Sequence, residues 1–231
     1  MDGLAKASIL DIDGVTVPSG AVTPPLDIYT GAAAGYSVRL LRTAYTGPAM
    51  RVRRETAGGT GDDDEADIAF DSGVISLDSA ISNASTGVTA TTLGQFINVG
   101  TVGGTTYTNP DSLTVTASCF VDTWYDQAGS NDAEQATFGD QPQIHDGTVD
   151  TDLITKNGKP AVQHQDVDGG LDITSYTGGS DATILAVMAD MALVGNIPEP
   201  IPIISLSSGV PYAFRCSFNA TSSAYRAFGT D

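Results

Sequence analysis

The chain has 231 residues, a length that fits one large domain, and its 28 Asp and Glu residues outnumber 10 Lys and Arg residues, for a formal net charge of −18. A nucleic-acid-binding protein needs a cationic face for the phosphate backbone, so this charge excludes that class of partner. No stretch approaches the ~20 apolar residues of a membrane span, which excludes membrane insertion, and 26 Gly residues with abundant Thr and Ser favour a β-rich domain.

Residues 1–25 are predicted to form an extended N-terminal docking arm, and residues 26–231 a folded domain. Proline lacks a donor for a β-ladder and fixes its own φ, so Pro18, Pro24 and Pro25 favour an extended segment. We expect the arm to bury its apolar side chains against another protein chain. These side chains are Leu4, Ile9, Leu10, Val15 and Val17.

The segment that follows the arm is predicted to hold an amphipathic helix and then a strand. Apolar residues at three- and four-residue spacing predict a helix over residues 32–45, which Gly47 and Pro48 would end. Residues 50–54 alternate apolar Met50 and Val52 with arginines, the pattern of a short half-buried strand.

Half of the basic residues lie close to an acidic run. The arginines are Arg39, Arg42, Arg51, Arg53 and Arg54, and the run is Asp62, Asp63, Asp64 and Glu65. Closely spaced like charges predict a solvated loop tip, and we expect Arg51, Arg53 and Arg54 to pair with it or with Glu55. Two alternatives stay open: a Ca²⁺ site built from the four carboxylates, since Ca²⁺ takes oxygen ligands, and a phosphate site at the arginines. No other cofactor is expected.

Most of the remaining chain is predicted to be β-structure. Residues 85–108 have the composition of hairpins, residues 113–121 alternate strictly, and Asn157-Gly158 is a strong hairpin turn. Continuous apolar runs at 184–187 and 201–206 are typical of inner strands. Together these elements predict a mainly β, two-sheet jelly-roll sandwich with one or two short helices.

Several sequence blocks carry a resemblance to known proteins, above all the block TWYDQAGSNDA at residues 123–133. The others are 26–29, 36–41, 44–54, 66–70, 141–144 and 157–161. In order and spacing they resemble the catalytic domain of family fifty-four α-L-arabinofuranosidases. They are also similar to the concanavalin-A-like, laminin-G-like jelly roll of phage virion proteins. Both resemblances imply a two-sheet β-sandwich.

The block at 123–133 supplies the candidate binding residues, which are Trp124, Tyr125, Asp126, Gln127, Asn131 and Asp132. Two interpretations stay open for them. They could bind a ligand such as a host surface glycan, or they could form a tight turn in which Asp and Asn side chains cap backbone N–H groups.

The resemblance implies a catalytic carboxylate pair in the later half of the domain, because glycoside hydrolysis needs two carboxyl groups across the scissile bond. Our best counterpart region for the nucleophile, residues 210–215, has no carboxylate, and Glu199 is the only Glu after Lys159. We therefore expect no enzyme activity. The expected function is a bacteriophage virion structural protein with a non-catalytic module for adhesion or decoration, located in the virion and assembled in the host cytoplasm. The alternative is an arabinofuranosidase-like glycoside hydrolase or a carbohydrate-binding relative.

Two further expectations concern partners and thiols. Residues 224–229 have the pattern of a strand near the end of the sequence, and an uncovered sheet edge there would pair with another chain. We therefore expect a homo-oligomer, a trimer, in addition to arm contacts with other virion proteins. Cys119 and Cys216 are too few for a disulfide scaffold and are expected to be buried thiols, with a single bridge left open.

Overall fold

The computed structural model describes residues 23–164 and 170–173, together with the backbone of residues 215–219 and 222–228. The docking-arm residues Leu4, Ile9, Leu10, Val15 and Val17 lie outside the described residues, as do the strands predicted at 184–187 and 201–206. The described helices are α1 (Pro25–Ile28), α2 (Leu93–Ile97) and a 3₁₀ turn (Phe138–Asp140).

The described residues are mainly β, with antiparallel strand pairing and only short helices. The strands are β1 (Met50–Glu55), β2 (Glu65–Ile68), β3 (Ile81–Ser82), β4 (Gly100–Val102), β5 (Thr105–Tyr107), β6 (Ser118–Trp124), β7 (Ala133–Glu134), β8 (Gln143–Asp146), β9 (Thr155–Lys156), β10 (Lys159–Pro160), β11 (Arg215–Asn219) and β12 (Ser222–Phe228). They form one six-stranded sheet and three two-stranded ones. The predicted β-rich class is confirmed at this level.

The six-stranded sheet has the order β3-β2-β1-β6-β7, and β8 pairs with the first half of β6 while β7 pairs with its end. β1 and β6 are the central pair, with Val52 opposite Val121. Their register shifts between Arg51 and Val52, so Asp122 has no partner in β1. Such a bulge increases the local twist of the strand.

Helix α2 closes the core over one face of this sheet. Its N-terminus is capped by the Thr92 hydroxyl, which accepts from the Gln95 amide, and it ends where Asn98 adopts φ +53°. Phe96 is fully buried in the same cluster as Val52 and Val121. Burial of apolar surface between helix and sheet is the main favourable contribution to the stability of this core.

The helix predicted over residues 32–45 is wrong, because the segment is extended with turns. Its backbone groups have partners elsewhere in the chain. The Leu40 amide donates to Gly73 O at 2.8 Å, and the Ile75 amide donates to Val38 O at 2.9 Å. These long-range backbone bonds hold the segment extended despite its helical apolar spacing, since tertiary context overrides local propensity.

The strictly alternating segment at 113–121 forms a strand only from Ser118 onward. Ahead of it, asparagine side chains occupy the backbone groups: the Leu113 amide donates to Asn109 Oδ1 at 3.2 Å, and Asn98 Nδ2 donates to Val115 O at 3.2 Å. Backbone N–H and C=O groups that already bond side chains are not available to pair with a neighbouring strand.

Three local predictions are confirmed. The strand expected at 50–54 is β1, although it is not half-buried as predicted, because Arg53 and Arg54 are each only 1% exposed. Asn157 and Gly158 have φ values of +51° and +69°, as a two-residue hairpin turn requires, and place Lys156 opposite Lys159. The strand expected at 224–229 is observed over residues 224–228 as part of β12, which pairs with β11. Cys119 is a buried free thiol, whereas the side chain of Cys216 lies outside the described residues.

Candidate functional site

The chain that follows β6 folds back on itself around the carboxylate of Asp126, which is 2% exposed. Its Oδ1 accepts from the amides of Gly35 at 2.8 Å and Ala128 at 2.7 Å, and its Oδ2 accepts from the Asn131 amide at 3.1 Å. One side chain therefore closes its own turn and holds a segment 91 residues earlier in the sequence.

Gln127 is equally buried and also points at backbone. Its Oε1 accepts from the Leu41 amide at 2.6 Å, and its Nε2 donates to Ser37 O at 3.3 Å and Arg39 O at 3.0 Å. Both the oxygen and the nitrogen of the Gln127 side chain are therefore hydrogen-bonded. The Gln127 side chain thus bonds backbone groups of residues 37–41 that a neighbouring strand would otherwise bond.

The remaining polar residues of the predicted binding block complete the same arrangement. Asn131 Nδ2 donates to Ala33 O at 2.7 Å, and Asp132 Oδ1 accepts from the Asp126 amide at 2.9 Å. We name Asp126, Gln127, Asn131 and Asp132 the turn clamp. The structure brings these predicted residues together, and it directs these contacts at the protein's own backbone.

The two aromatic residues of the block pack beside the turn clamp. The rings of Trp124 and Tyr36 are 6.3 Å apart and tilted by 56°, and the Tyr36 hydroxyl donates to Asn131 O. The Tyr125 hydroxyl donates to Asp67 Oδ1 at 2.9 Å, and burial together with this carboxylate raises the pKa of Tyr125. The indole N–H of Trp124 is buried and has no hydrogen-bond partner within the described part of the chain.

A second polar centre is the arginine network. We define it as Arg51, Arg53 and Arg54 of β1 with the carboxylates of Glu55, Asp63, Asp64, Glu65, Asp67 and Asp111. Arg53 is 1% exposed. Its guanidinium contacts the ring of Phe138 at 4.2 Å from the centroid, donates to Gln141 Oε1 at 2.8 Å and pairs with Asp63 at 2.7 Å.

Arg54, the next residue along β1, is also 1% exposed and is directed at α2. It donates to Phe96 O at 2.8 Å and to Gly61 O at 2.9 Å, and it pairs with Asp64 at 2.6 Å. Asp111 Oδ2 lies 3.7 Å away. Arg54 therefore joins the helix end, the acidic loop and the core, and a Cβ on Gly61 would collide with its guanidinium.

The acidic run acts as counter-charge to β1. Asp63 and Asp64 pair with Arg53 and Arg54, and Glu65 pairs with Arg51 at 2.8 Å. Asp62 accepts from the amides of Thr56 and Gly58, each at 2.7 Å, and these bonds hold the pKa of its carboxyl below the ordinary value. The four carboxylates of the Ca²⁺ alternative thus have separate partners. Across the described residues, no group of three or more metal-ligating side chains is found.

The expected pairing of the arginines with the acidic loop and Glu55 is confirmed, with Arg53 lying 3.1 Å from Glu55. The same contacts occupy the guanidinium groups of Arg51, Arg53 and Arg54, three of the five arginines at which the phosphate alternative was placed. Sequence reasoning did not anticipate that Asp67 and Asp111 would join the network, because their contacts depend on sheet register and on loop packing.

A cleft of about 310 Å³ opens between the turn at Ser72-Gly73 and the β9–β10 hairpin. Its lining includes the side chains of Arg39, Asp152 and Lys159, together with Val74 and Pro160. Sequence reasoning missed this site, because its residues come from three separated segments. The one signal that could have found it is the scarcity of basic residues outside the arginine-rich strand.

Comparisons of the chain with protein-family models, with curated proteins and with solved structures find no match. In the part of the chain that the structure describes, no helix is long and apolar enough to cross a membrane.

Proposed function

We propose that the chain is a bacteriophage virion structural protein whose domain is a non-catalytic module for adhesion or decoration. In this proposal the six-stranded sheet is one layer of a two-sheet jelly roll, and the strands predicted at 184–187 and 201–206 contribute to the other. Residues 1–25 dock the domain onto other virion proteins, and the assembled form is a homotrimer.

The turn clamp is the observation that supports this proposal most. The block at 123–133 is the sharpest part of the resemblance to phage jelly rolls and arabinofuranosidases. In this chain its buried residues Asp126 and Gln127 bond backbone groups of residues 35–41. Residues that bond the protein's own backbone can be common to proteins that share a fold but not a reaction.

Mass spectrometry and immunogold labelling of purified particles from the phage-producing host test the location. We expect the chain in a fixed stoichiometry to the major particle proteins, with gold label on intact particles. Full-length Ile9→Asp and Val15→Asp chains should be lost from particles, because a charge cannot be buried in an apolar contact without a large desolvation cost. Recovery of the chain only as free protein would overturn the proposal.

Light scattering of the purified full-length chain tests the assembly. A mass of three chains at micromolar concentration supports the proposed trimer. A monomeric mass at that concentration contradicts it.

The cleft beside Arg39 favours a second candidate, the carbohydrate-binding relative, because it combines charged, hydroxyl and apolar groups. The enzyme form of that alternative is tested with aryl arabinofuranosides. We expect no release of arabinose, and turnover that disappears in Glu199→Gln would establish a hydrolase instead.

A further inference from the structure

The cationic side chains of the described residues fall into two groups that differ in their partners. Arg51, Arg53 and Arg54 are ion-paired within the arginine network. Over the same described residues, the guanidinium of Arg39 and the ammonium of Lys159 form no ion pair, and both side chains are exposed. Arg42, which lies outside the cleft lining, also forms no ion pair over these residues.

Arg39 and Lys159 both line the same cleft. Lys159 begins β10 directly after the Asn157-Gly158 turn, which is a tight two-residue connection. The Asp152 carboxylate lines the cleft as well, so the described lining carries two cations and one anion. The cleft is therefore a locally basic site on a strongly acidic protein, and such a site focuses its field on anions.

The backbone that carries Arg39 is held from two sides. Arg39 forms a β-bridge with Val74, and its carbonyl accepts from Gln127 Nε2 at 3.0 Å. The neighbouring Leu40 amide donates to Gly73 O at 2.8 Å. The turn clamp thus fixes the backbone at this wall of the cleft, so that only the side chain of Arg39 has to be ordered when an anion binds.

The rest of the lining suits a ligand that is more than a simple anion. Asp152 accepts one described hydrogen bond, from the Leu153 amide at 2.7 Å, which leaves its second oxygen as an acceptor for a hydroxyl. Thr155 offers a hydroxyl, and Val74 and Pro160 offer apolar surface to C–H groups. The volume of about 310 Å³ lies at the lower end of small-molecule sites.

From this geometry we infer that the cleft binds an acidic saccharide, with its carboxylate between Arg39 and Lys159 and its hydroxyls toward Asp152 and Thr155. Arg39 can hold a carboxylate through two parallel N–H donors, and Lys159 adds a point charge. This inference rests on the proposed adhesion function and names the class of glycan that the module would recognise.

Calorimetric titration of the full-length chain tests the inference with three probes: digalacturonic acid, its uncharged counterpart galactobiose, and acetate. We expect digalacturonic acid to bind most tightly. Arg39→Gln and Lys159→Gln should each weaken it by about tenfold, since a hydrogen bond to a charged group contributes about 1.5 kcal/mol. Arg42→Gln is the matched control, because it removes the same charge outside the cleft lining and should leave the affinity unchanged.

The other results separate the possible failures. Equal binding of acetate would make the cleft a simple anion site and overturn the saccharide assignment. Binding of galactobiose that survives Arg39→Gln would preserve glycan adhesion and overturn the acidic class. Binding of none of the probes would overturn the inference altogether. Association of the Arg39→Gln chain and of the unmodified chain with particles is measured in parallel. The virion proposal is contradicted only if neither chain associates with particles.

Discussion

The turn clamp and the arginine network both tie distant chain segments to the central strands, but they do so with different partners. The turn clamp directs side chains at backbone, as when Gln127 bonds Leu41 N and Arg39 O. The arginine network adds ion pairs between side chains, as in Arg54 with Asp64, to the bonds that Arg54 makes with the backbone oxygens of Phe96 and Gly61. A backbone partner is present whatever residue occupies the position, whereas a charge pair needs two matched residues.

This difference has a consequence for the surface. The arginine network neutralises its own guanidinium groups and leaves them without capacity for a ligand. The turn clamp holds residue 39 through its carbonyl, and Arg39 is an exposed residue of the cleft lining. In this protein a backbone clamp holds one wall of the cleft, and a charge network supports the core.

The largest effect should come from Arg54→Ala. This change removes the Arg54 hydrogen bonds to Phe96 O, Gly61 O and Asp64 and the ion pair with Asp111. Breaking a buried ion pair by removing one partner costs about 3–5 kcal/mol. Urea denaturation measures the free energy of unfolding. Arg42→Ala is the control and should change it by less than about 0.5 kcal/mol, and equal effects of the two variants would contradict the role given to Arg54.

Gln127→Ala should have the next largest effect, about 2 kcal/mol, because a buried donor or acceptor left without a partner costs about 1–3 kcal/mol. Hydrogen exchange should locate the loss at the Leu41 amide, with little change at Val52 in the core. The Arg39 wall of the cleft should loosen as well, so the affinity for digalacturonic acid should fall. Unchanged protection at residue 41 would show that the clamp does not hold this segment.

Acidification should weaken the arginine network through Asp111. Burial alone raises the pKa of this carboxyl, but hydrogen bonds from Thr89 and the charge of Arg54 together hold it below its ordinary value. The unfolded chain therefore takes up the proton first, so this contribution to stability is complete above about pH 3.9 and is lost as the pH falls through the folded pKa.

Asp111→Asn provides the comparison for this pH dependence. The free energy of unfolding of the variant should fall less steeply below about pH 4 than that of the parent chain. Urea titrations over this range measure the two slopes. Parallel slopes would mean that Asp111 does not contribute to acid sensitivity.

The smallest effect is expected for Asp63→Asn, about 0.5 kcal/mol, because the Asp63 carboxylate is 49% exposed and exposed ion pairs contribute little. Asn also tolerates the φ of +59° at this position, so the backbone is not strained by the change. Thermal unfolding measures the change in stability between the variant and the parent chain. A loss as large as that of Arg54→Ala would show that the network depends on its exposed rim and not on its buried arginine.

The candidate site was only partly predictable from the sequence. The block at 123–133 was singled out correctly as a unit, and its alternative interpretation as a turn matches the contacts of Asp126. The cleft was not predictable, because Arg39, Asp152 and Lys159 are brought together by a β-bridge at Val74 and by a hairpin more than 110 residues after Arg39.

Local signals determined the parts of the fold whose partners are near in the sequence. Alternation in residues 50–54 predicted β1, Asn157-Gly158 predicted its hairpin, and the charge of the acidic run predicted its pairing with β1. Only the tertiary structure decided that residues 32–45 are extended. Their periodic apolar residues form no buried face, since Tyr36, Leu40 and Leu41 are half-buried and Ala44 is exposed. Their backbone partners, Gln127 and residues 73–75, are remote in the sequence, and hydrogen bonding over such distances leaves no local pattern.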